Sequence, residues 1–258
     1  IGKNRALNPN KYFIVSINMF GNGLSTSPSN AEVSQLKNKF PNITLWDNIF
    51  CQHKLITEKF KIKKIALVLG WSMAGCQSYQ WAAQYPDMVN AILPFCASSK
   101  TSIHNYVFLE GVKAALCADQ NWAKGKYTHP PIDGLKAFAR VYAGWAFSQT
   151  FYREGLFKNL GYNSIEELLL DWENDHVNNW DANNLLTKLA TWQKGDISLG
   201  PIYNGNFVEA LKWFVVSADN GSEGGRKNID IVEKRMTSRQ ITQAKKLARQ
   251  WIKQHPKK

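Results

Sequence analysis

The segment Gly70-Trp-Ser-Met-Ala-Gly75 restricts the fold of this chain more than any other feature of its sequence. It follows the continuous apolar run of residues 65–69 and precedes a helical pattern. A turn that passes directly from a strand into a helix is tight, so small residues must flank its central serine, whose hydroxyl projects. The N-terminus of the following helix favours a developing negative charge. The segment therefore predicts a strand-turn-helix unit that presents Ser72 as a nucleophile.

Apolar runs on both sides of this turn indicate a parallel sheet. Residues 65–69 and 89–96 flank the helix that Ser72 opens, and such runs are typical of strands covered on both faces. Strand, helix and strand in this order form a βαβ unit with a right-handed crossover. Residues 11–17 predict one earlier strand, and the Gly-, Ser- and Pro-rich residues 20–30 predict a loop. The predicted fold class is therefore α/β.

Helical patterns occupy most of the remaining sequence. Residues 44–60 predict a helix before the sheet, and the pattern is helical from 102 to about 194. Within that stretch Ser164-Ile-Glu-Glu167 is a capping box and Asp181 is a candidate N-cap. After residue 197, one helix stops at Asn220-Gly221 and another begins at the capping box Thr237-Ser-Arg-Gln240. We expect a helical lid at about 102–194 and an all-helical tail.

Composition narrows the class of protein. No run of about 18 apolar residues is present, so a membrane span is not predicted. The net charge is +12, and residues 197–258 hold 12 Lys and Arg against 5 Asp and Glu. These charges lie along the solvent side of an amphipathic helix without interleaved aromatic residues, which favours a solvated face over a nucleic-acid site. Four widely spaced cysteines without a Cys-x-x-Cys pair predict reduced, mostly buried thiols in a cytoplasmic protein, and neither a metal nor a cofactor is predicted.

Residues 1 to about 198 resemble the homoserine O-acetyltransferase-like family of α/β-hydrolases. The resemblance implies an α/β-hydrolase core with a helical lid, and a serine that is transiently acylated before it passes the acyl group to an alcohol or to water. It implies no cofactor. The segments that carry it, in chain order, are residues 18–28, Gly70-Trp-Ser-Met73, Trp81-Ala-Ala-Gln-Tyr-Pro86, Lys100-Thr-Ser102, residues 131–140 and Asp181-Ala-Asn183.

The resemblance assigns roles to three residues. Ser72 is the nucleophile, and the backbone N–H of Met73 contributes one oxyanion donor. Lys113 stands where the family's acetyltransferases carry an arginine that holds the carboxylate of the amino acid, and lysine cannot reproduce that bidentate contact. Met73-Ala-Gly75 likewise stands where Met-Gly-Gly is usual. Both departures favour a hydrolase-like branch of the family over one that acylates homoserine.

The acid and the base of a catalytic triad are not visible in the sequence. Their chain order would be serine, then Asp or Glu, then His. His104, His129 and His176 fall in the predicted lid, His255 lies in the basic tail, and His53 precedes the serine. Asp175 and His176 are sequence neighbours, so we do not expect them to form an orienting pair. The second oxyanion donor is expected upstream of residue 1, which predicts a truncated sequence.

Residues 199–258 form the second predicted domain, after a partial α/β-hydrolase domain at 1–198. They resemble the last unit of a Sel-like helical repeat, a relative of the tetratricopeptide repeat, with a join predicted near residues 197–206. Two hypotheses follow: an acyl-transfer enzyme that acts through Ser72 on a small acyl donor with an alcohol or water as acceptor, or a non-catalytic chimeric remnant whose helices contact a protein partner. Because acid and base are not found, we expect family resemblance and activity to diverge.

Overall fold

A computed structural model describes residues 1–197, 207–221 and 223–256 of the chain. The join predicted near 197–206, and with it the boundary between residues 198 and 199, lies almost entirely outside these residues. The described chain forms two compact units. Unit 1 comprises Ile1–Lys59 and Ser102–Gln193, and unit 2 comprises Phe60–Thr101 and Lys194–Lys258.

Unit 2 contains the sheet and the helix that begins at Ser72. Strands β1 (Val68–Trp71) and β2 (Ile92–Phe95) are parallel, with Leu69 opposite Leu93 and Trp71 opposite Phe95. The helix between them, designated α2 below, is Met73–Gln84 and packs on both strands. The predicted βαβ unit is thereby confirmed. The expectation that both faces of these strands are covered is wrong, because the side chains of Leu69 and Trp71 are exposed.

Unit 1 is helical, as the sequence predicts. Its helices are α1 (Leu45–Lys54), α3 (Ile103–Cys117), α4 (Ile132–Ala146), α5 (Gln149–Arg153), α6 (Ile165–Asn179) and α7 (Ala182–Gln193). Short 3-10 turns occupy Val33–Gln35, Lys37–Lys39, Gln120–Gly125 and Leu156–Leu160, and α1 continues into a π-helical turn at Leu55–Lys59. The core of unit 1 is made of buried side chains from α3, α4 and α7, namely Leu109, Val112, Leu116, Leu135, Phe138, Leu185 and Leu189.

The strand predicted at residues 11–17 is wrong. These residues form no strand, and Tyr12 and Phe13 are largely exposed. A strand requires hydrogen bonds from a neighbouring strand, which an apolar run does not supply by itself. The loop at 20–30 is confirmed, and it is fixed to α7 because Asn184 accepts from the Ser29 N–H at 3.1 Å and donates to the Ser29 hydroxyl at 2.8 Å.

The described residues of unit 2 after residue 206 contain three helices: α8 (Phe207–Asp219), α9 (Glu223–Glu233) and α10 (Ser238–Gln254). Gly221 has a φ of 89°, which suits the stop predicted there. The Thr237 capping box is formed with Gln240 in both directions. Side chains of Leu211, Phe214 and Val232 are buried where these helices meet. None of the helices in the described ranges is long and apolar enough to cross a membrane.

Lys188 of α7 provides a test of packing in unit 1. Its ammonium lies 4.0 Å from the centroid of the Trp180 ring, and burial lowers its pKa to about 8. Between pH 8 and the ordinary pKa of lysine, the unfolded chain therefore binds more protons than the folded chain, so the free energy of unfolding rises with pH. We expect urea denaturation to show this rise for the wild type between pH 7.5 and 9.5. Lys188→Met should show a smaller rise than the exposed control Lys158→Met, and equal rises in both variants would contradict the burial.

Candidate active site

The backbone at Ser72 is strained in the way that a projecting serine requires. Its φ and ψ are 54° and −122°, a conformation that side-chain-bearing residues rarely adopt. Serine is a favoured helix cap when its backbone is extended, but here its side chain accepts no capping hydrogen bond from α2. The Ser72 hydroxyl is therefore not engaged by the turn that it opens, and it is half-buried at the end of β1.

Two glycines make this turn possible. A Cβ on Gly70 would lie 2.1 Å from the carbonyl oxygen of Ala74, and a Cβ on Gly75 would lie 2.5 Å from the Cβ of Ala97. The first clash is with backbone and cannot be relieved by a rotamer change. The structure therefore explains why small residues stand at 70 and 75, and it shows that Gly75 meets the segment after β2.

The carboxyl end of β2 fixes the turn from its other side. The Ser72 N–H donates to the Phe95 carbonyl at 2.9 Å, and the Cys76 N–H donates to the Ser72 carbonyl at 3.0 Å. Because Trp71 pairs with Phe95, the next residues, Ser72 and Cys96, follow neighbouring strand ends. Cys96 is exposed and has a φ of 47°. The sequence motifs do not predict this second strained residue, although its place at the end of the apolar run 89–96 is a signal.

Met73 occupies the position from which a backbone N–H can stabilise an oxyanion. It is the first residue of α2, and the N–H groups of a first helical turn have no acceptor within their own helix. Those of Met73, Ala74 and Gly75 belong to this turn, which contains no acidic residue. A negative charge that develops beside Ser72 would meet the positive end of the helix dipole.

Lys113 lies on α3 in unit 1, where its ammonium is paired. Its Nζ is 3.2 Å from Oε1 of Glu110, and the same carboxylate accepts from Gln193 at 2.6 Å. The hydrogen bond from Gln193, together with Lys113, lowers the pKa of Glu110. Both side chains of the ion pair are well exposed. The contact recorded for Lys113 is thus a surface ion pair, and its role in substrate binding stays a prediction.

The histidines are distributed over both units. His53, His104, His129 and His176 belong to unit 1, and His255 belongs to unit 2 with Ser72. His176 is buried, which lowers its pKa, and its Nδ1 lies 2.8 Å from the Trp172 carbonyl oxygen. The Asp175 carboxylate accepts instead from Asn179 and from the Trp180 indole. The Asp175 carboxylate also lies 3.9 Å from Nδ1 of His176, and that the two do not orient a base for Ser72 stays a prediction.

His255 is held by its own helix. Its Nδ1 lies 2.9 Å from the Trp251 carbonyl oxygen, and its ring stacks on the Trp251 ring with centroids 4.2 Å apart.

All four cysteines are free, but Cys51 and Cys96 are exposed, so the expectation of mostly buried thiols is wrong for half of them. Within the described ranges, no three His, Cys, Asp or Glu side chains converge as a metal site would require.

Comparison with known proteins identifies the fold to which this turn belongs. Residues 3–128 match the family model described as alpha/beta hydrolase fold. An acetylester hydrolase structure from Corynebacterium glutamicum superposes with a TM-score of 0.74 at 34% identity, covering 82% of this chain and 61% of that one. The chain has the α/β-hydrolase fold. The predicted fold class is thereby confirmed, with a parallel sheet and many helices.

Two groups of relatives are similar to this chain in sequence. Ethyl acetate hydrolase of Pseudomonas veronii is 36% identical over 200 residues, which cover 77% of this chain and 57% of that protein. Homoserine O-acetyltransferase of Zymomonas mobilis is 36% identical over 151 residues, which cover 55% and 40%. The resemblance to homoserine O-acetyltransferases is confirmed, and the chain is also similar to esterases. The chain spans less than two thirds of the length of the curated relatives that it matches.

Proposed function

We propose that this chain is a serine-dependent acyl-transfer enzyme that hydrolyses small carboxylic esters through an acyl-enzyme on Ser72. The observation that carries the proposal is the strained turn at Ser72, whose hydroxyl is released from capping beside the N-terminus of α2. Structural strain of this kind is retained where a functional group must project. The esterases among the relatives are 36% identical over 77% of this chain, whereas the acetyltransferases that match 82% of it are 30% identical, and this difference in identity supports water as the acceptor.

The chemistry divides into two transfers. The Ser72 Oγ attacks the ester carbonyl carbon while its proton passes to a base, and the N–H of Met73 stabilises the oxyanion. The bond from carbon to the alcohol oxygen then breaks, and the alcohol leaves with a proton. Water attacks the acyl-serine in the same way and releases the carboxylic acid. We keep Lys113 as a candidate substrate contact. To bind the substrate, its ammonium would have to exchange its ion pair with Glu110 for a contact with the substrate.

Ser72→Ala tests this proposal by the hydrolysis of p-nitrophenyl acetate. We expect the rate to fall on the order of 10³-fold or more, because a nucleophile cannot be replaced by binding contacts alone. Ser99→Ala is the matched control, since Ser99 is an exposed serine that follows β2 as Ser72 follows β1, and its rate should stay within about twofold of wild type. Equal rates for wild type and Ser72→Ala would refute the acyl-enzyme.

The second candidate is a non-catalytic remnant that binds a protein partner through its helical tail. The contacts of His255 favour it, because they engage one ring nitrogen and one ring face of a histidine that belongs to the same unit as Ser72. Under this proposal residues 1–198 are a partial α/β-hydrolase domain and 199–258 are a Sel-like segment joined near 197–206. A wild-type protein without turnover or acylation would select this candidate. A cytoplasmic location remains a prediction from four free thiols.

A further inference from the structure

The segment that leaves β2 is hydrogen-bonded to the turn at Ser72 at two points. The Phe95 carbonyl accepts from the Ser72 N–H at 2.9 Å. Burial raises the pKa of the Cys76 thiol in the first turn of α2, and a hydrogen bond with the Ser98 backbone opposes this shift. Residues on both sides of Cys96 therefore contact the segment that carries the serine.

Ala97 lies on the side of the sheet that an extended chain would not give it. A Cβ on Gly70 would meet the backbone of α2, so Gly70 and its register partner Pro94 face α2, and Phe95 faces away. In an extended chain Ala97 would face the same way as Phe95, because side chains alternate. A Cβ on Gly75 would instead lie 2.5 Å from the Cβ of Ala97. The chain therefore turns towards α2 between residues 95 and 97.

Cys96 is the residue at which the chain turns. Its φ of 47° is left-handed, whereas β2 up to Phe95 is extended. Residues that carry a Cβ rarely adopt this conformation, and they keep it only where the surrounding structure imposes it. The contacts of the neighbouring residues with α2 impose it here, so the conformation of Cys96 and the packing of the turn depend on each other.

We propose that Cys96 is a positioning residue, whose left-handed backbone holds Ser72 and the first turn of α2 in the geometry that acyl transfer requires. A displaced Phe95 carbonyl would release the Ser72 N–H, and the Ser72 Oγ would lose its fixed position relative to the N–H of Met73. The thiol itself is not required, because the backbone and the neighbouring residues make these contacts. The inference rests on the proposed function, since it assigns Cys96 to the geometry of the same reaction.

Substitutions that differ in their tolerance of a left-handed backbone test this role. Cys96→Val should lower kcat/KM for p-nitrophenyl acetate at least about tenfold, because a β-branched residue resists a positive φ. Cys96→Gly should rescue the rate to at least about a third of the wild-type value, since glycine adopts a positive φ without strain. Cys51→Val is the matched control, because Cys51 is also a free, exposed cysteine but lies in helix α1, and its rate should stay within about twofold of wild type.

Hydrogen exchange at the Ser72 amide measures the positioning without turnover. This amide donates to the Phe95 carbonyl, so a displaced segment would open it to solvent. In NMR spectra it should exchange at least about fivefold faster in Cys96→Val than in Cys96→Gly. Amides of α8 and α10 should exchange alike in both variants, because a local change at Cys96 leaves those helices packed. If Cys96→Val does not fold, Cys96→Thr provides a branched Cβ with a polar group.

The outcomes separate this role from the proposed function. A wild type without turnover, in which Cys96→Val still loses protection at Ser72, would refute the proposed function and leave the hold of Cys96 on Ser72 in place. A Cys96→Val chain that hydrolyses the ester and protects the Ser72 amide as the wild type does would overturn the positioning role alone. Equal losses in Cys96→Val and Cys96→Gly would also overturn it, because the side chain rather than the backbone conformation would then matter. Faster exchange throughout α8 and α10 would mean general destabilisation, which contradicts a local role.

Discussion

Replacement of Gly70 by alanine should destabilise unit 2 by about 3 kcal/mol or more and abolish ester hydrolysis. The added Cβ would stand 2.1 Å from the Ala74 carbonyl oxygen, 2.2 Å from its carbon and 2.6 Å from the Gly75 nitrogen. All three atoms are backbone of the turn and first helical residues, so relief requires the N-terminus of α2 to move. Urea denaturation followed by tryptophan fluorescence measures the loss.

Gly144→Ala is the matched control for this effect. Gly144 lies within α4 and is exposed. A Cβ added there would have no neighbouring atom within 4 Å. Alanine there should be neutral or stabilise the chain by roughly 0.5–1 kcal/mol, because glycine loses more backbone entropy in a helix. If Gly70→Ala and Gly144→Ala showed the same denaturation midpoint, the close backbone packing described for the turn at Ser72 would be contradicted.

Phe214→Ala should destabilise the helices α8–α10 by about 3–5 kcal/mol. Phe214 is fully buried and belongs to the core that α8 shares with α9 and α10. The loss combines the transfer of the aromatic ring with the cavity that remains. Hydrogen exchange of residues 207–256 measures it. Ile231→Ala is the control, since Ile231 of α9 is 54% exposed, and it should cost less than about 1 kcal/mol.

An equal effect of these two substitutions would mean that the tail helices do not pack as described. A large effect of Phe214→Ala alone would establish a folded helical tail, whichever protein family it comes from. The Sel-like resemblance would still need its own test, because three packed helices are common to many folds.

Local sequence signals predict helix starts well because their physical causes are local. The Thr237 capping box and the Asp181 cap depend on side chains that reach backbone N–H groups three residues away. The Ser164 box is formed in one direction only: Ser164 accepts from the Glu167 N–H, whereas the Glu167 carboxylate accepts from the Asn163 N–H. The turn at Ser72 was also predictable, since glycine spacing expresses a steric requirement of a few consecutive residues.

Features that depend on distant residues were not predictable in the same way. Apolar residues 11–17 have the composition of a strand, but strand formation depends on a partner elsewhere in the chain. Exposure of Leu69 and Trp71 likewise depends on what packs against the sheet, and their composition only predicts burial. The hydrogen bond from Gln193 to Glu110, which joins residues 83 positions apart, and the strained backbone at Cys96 likewise depend on how separate segments pack, which a motif does not contain.

Phosphonylation of Ser72 is the most direct test of an activated nucleophile. A fluorophosphonate loses fluoride to an activated serine and leaves a stable adduct, which peptide mapping by mass spectrometry assigns to one residue. The proposed mechanism predicts a single adduct on Ser72 in the wild type and in Ser99→Ala, and none in Ser72→Ala. An unlabelled wild type, or equal labelling of wild type and Ser72→Ala, would show that the strained turn presents a serine without activating it.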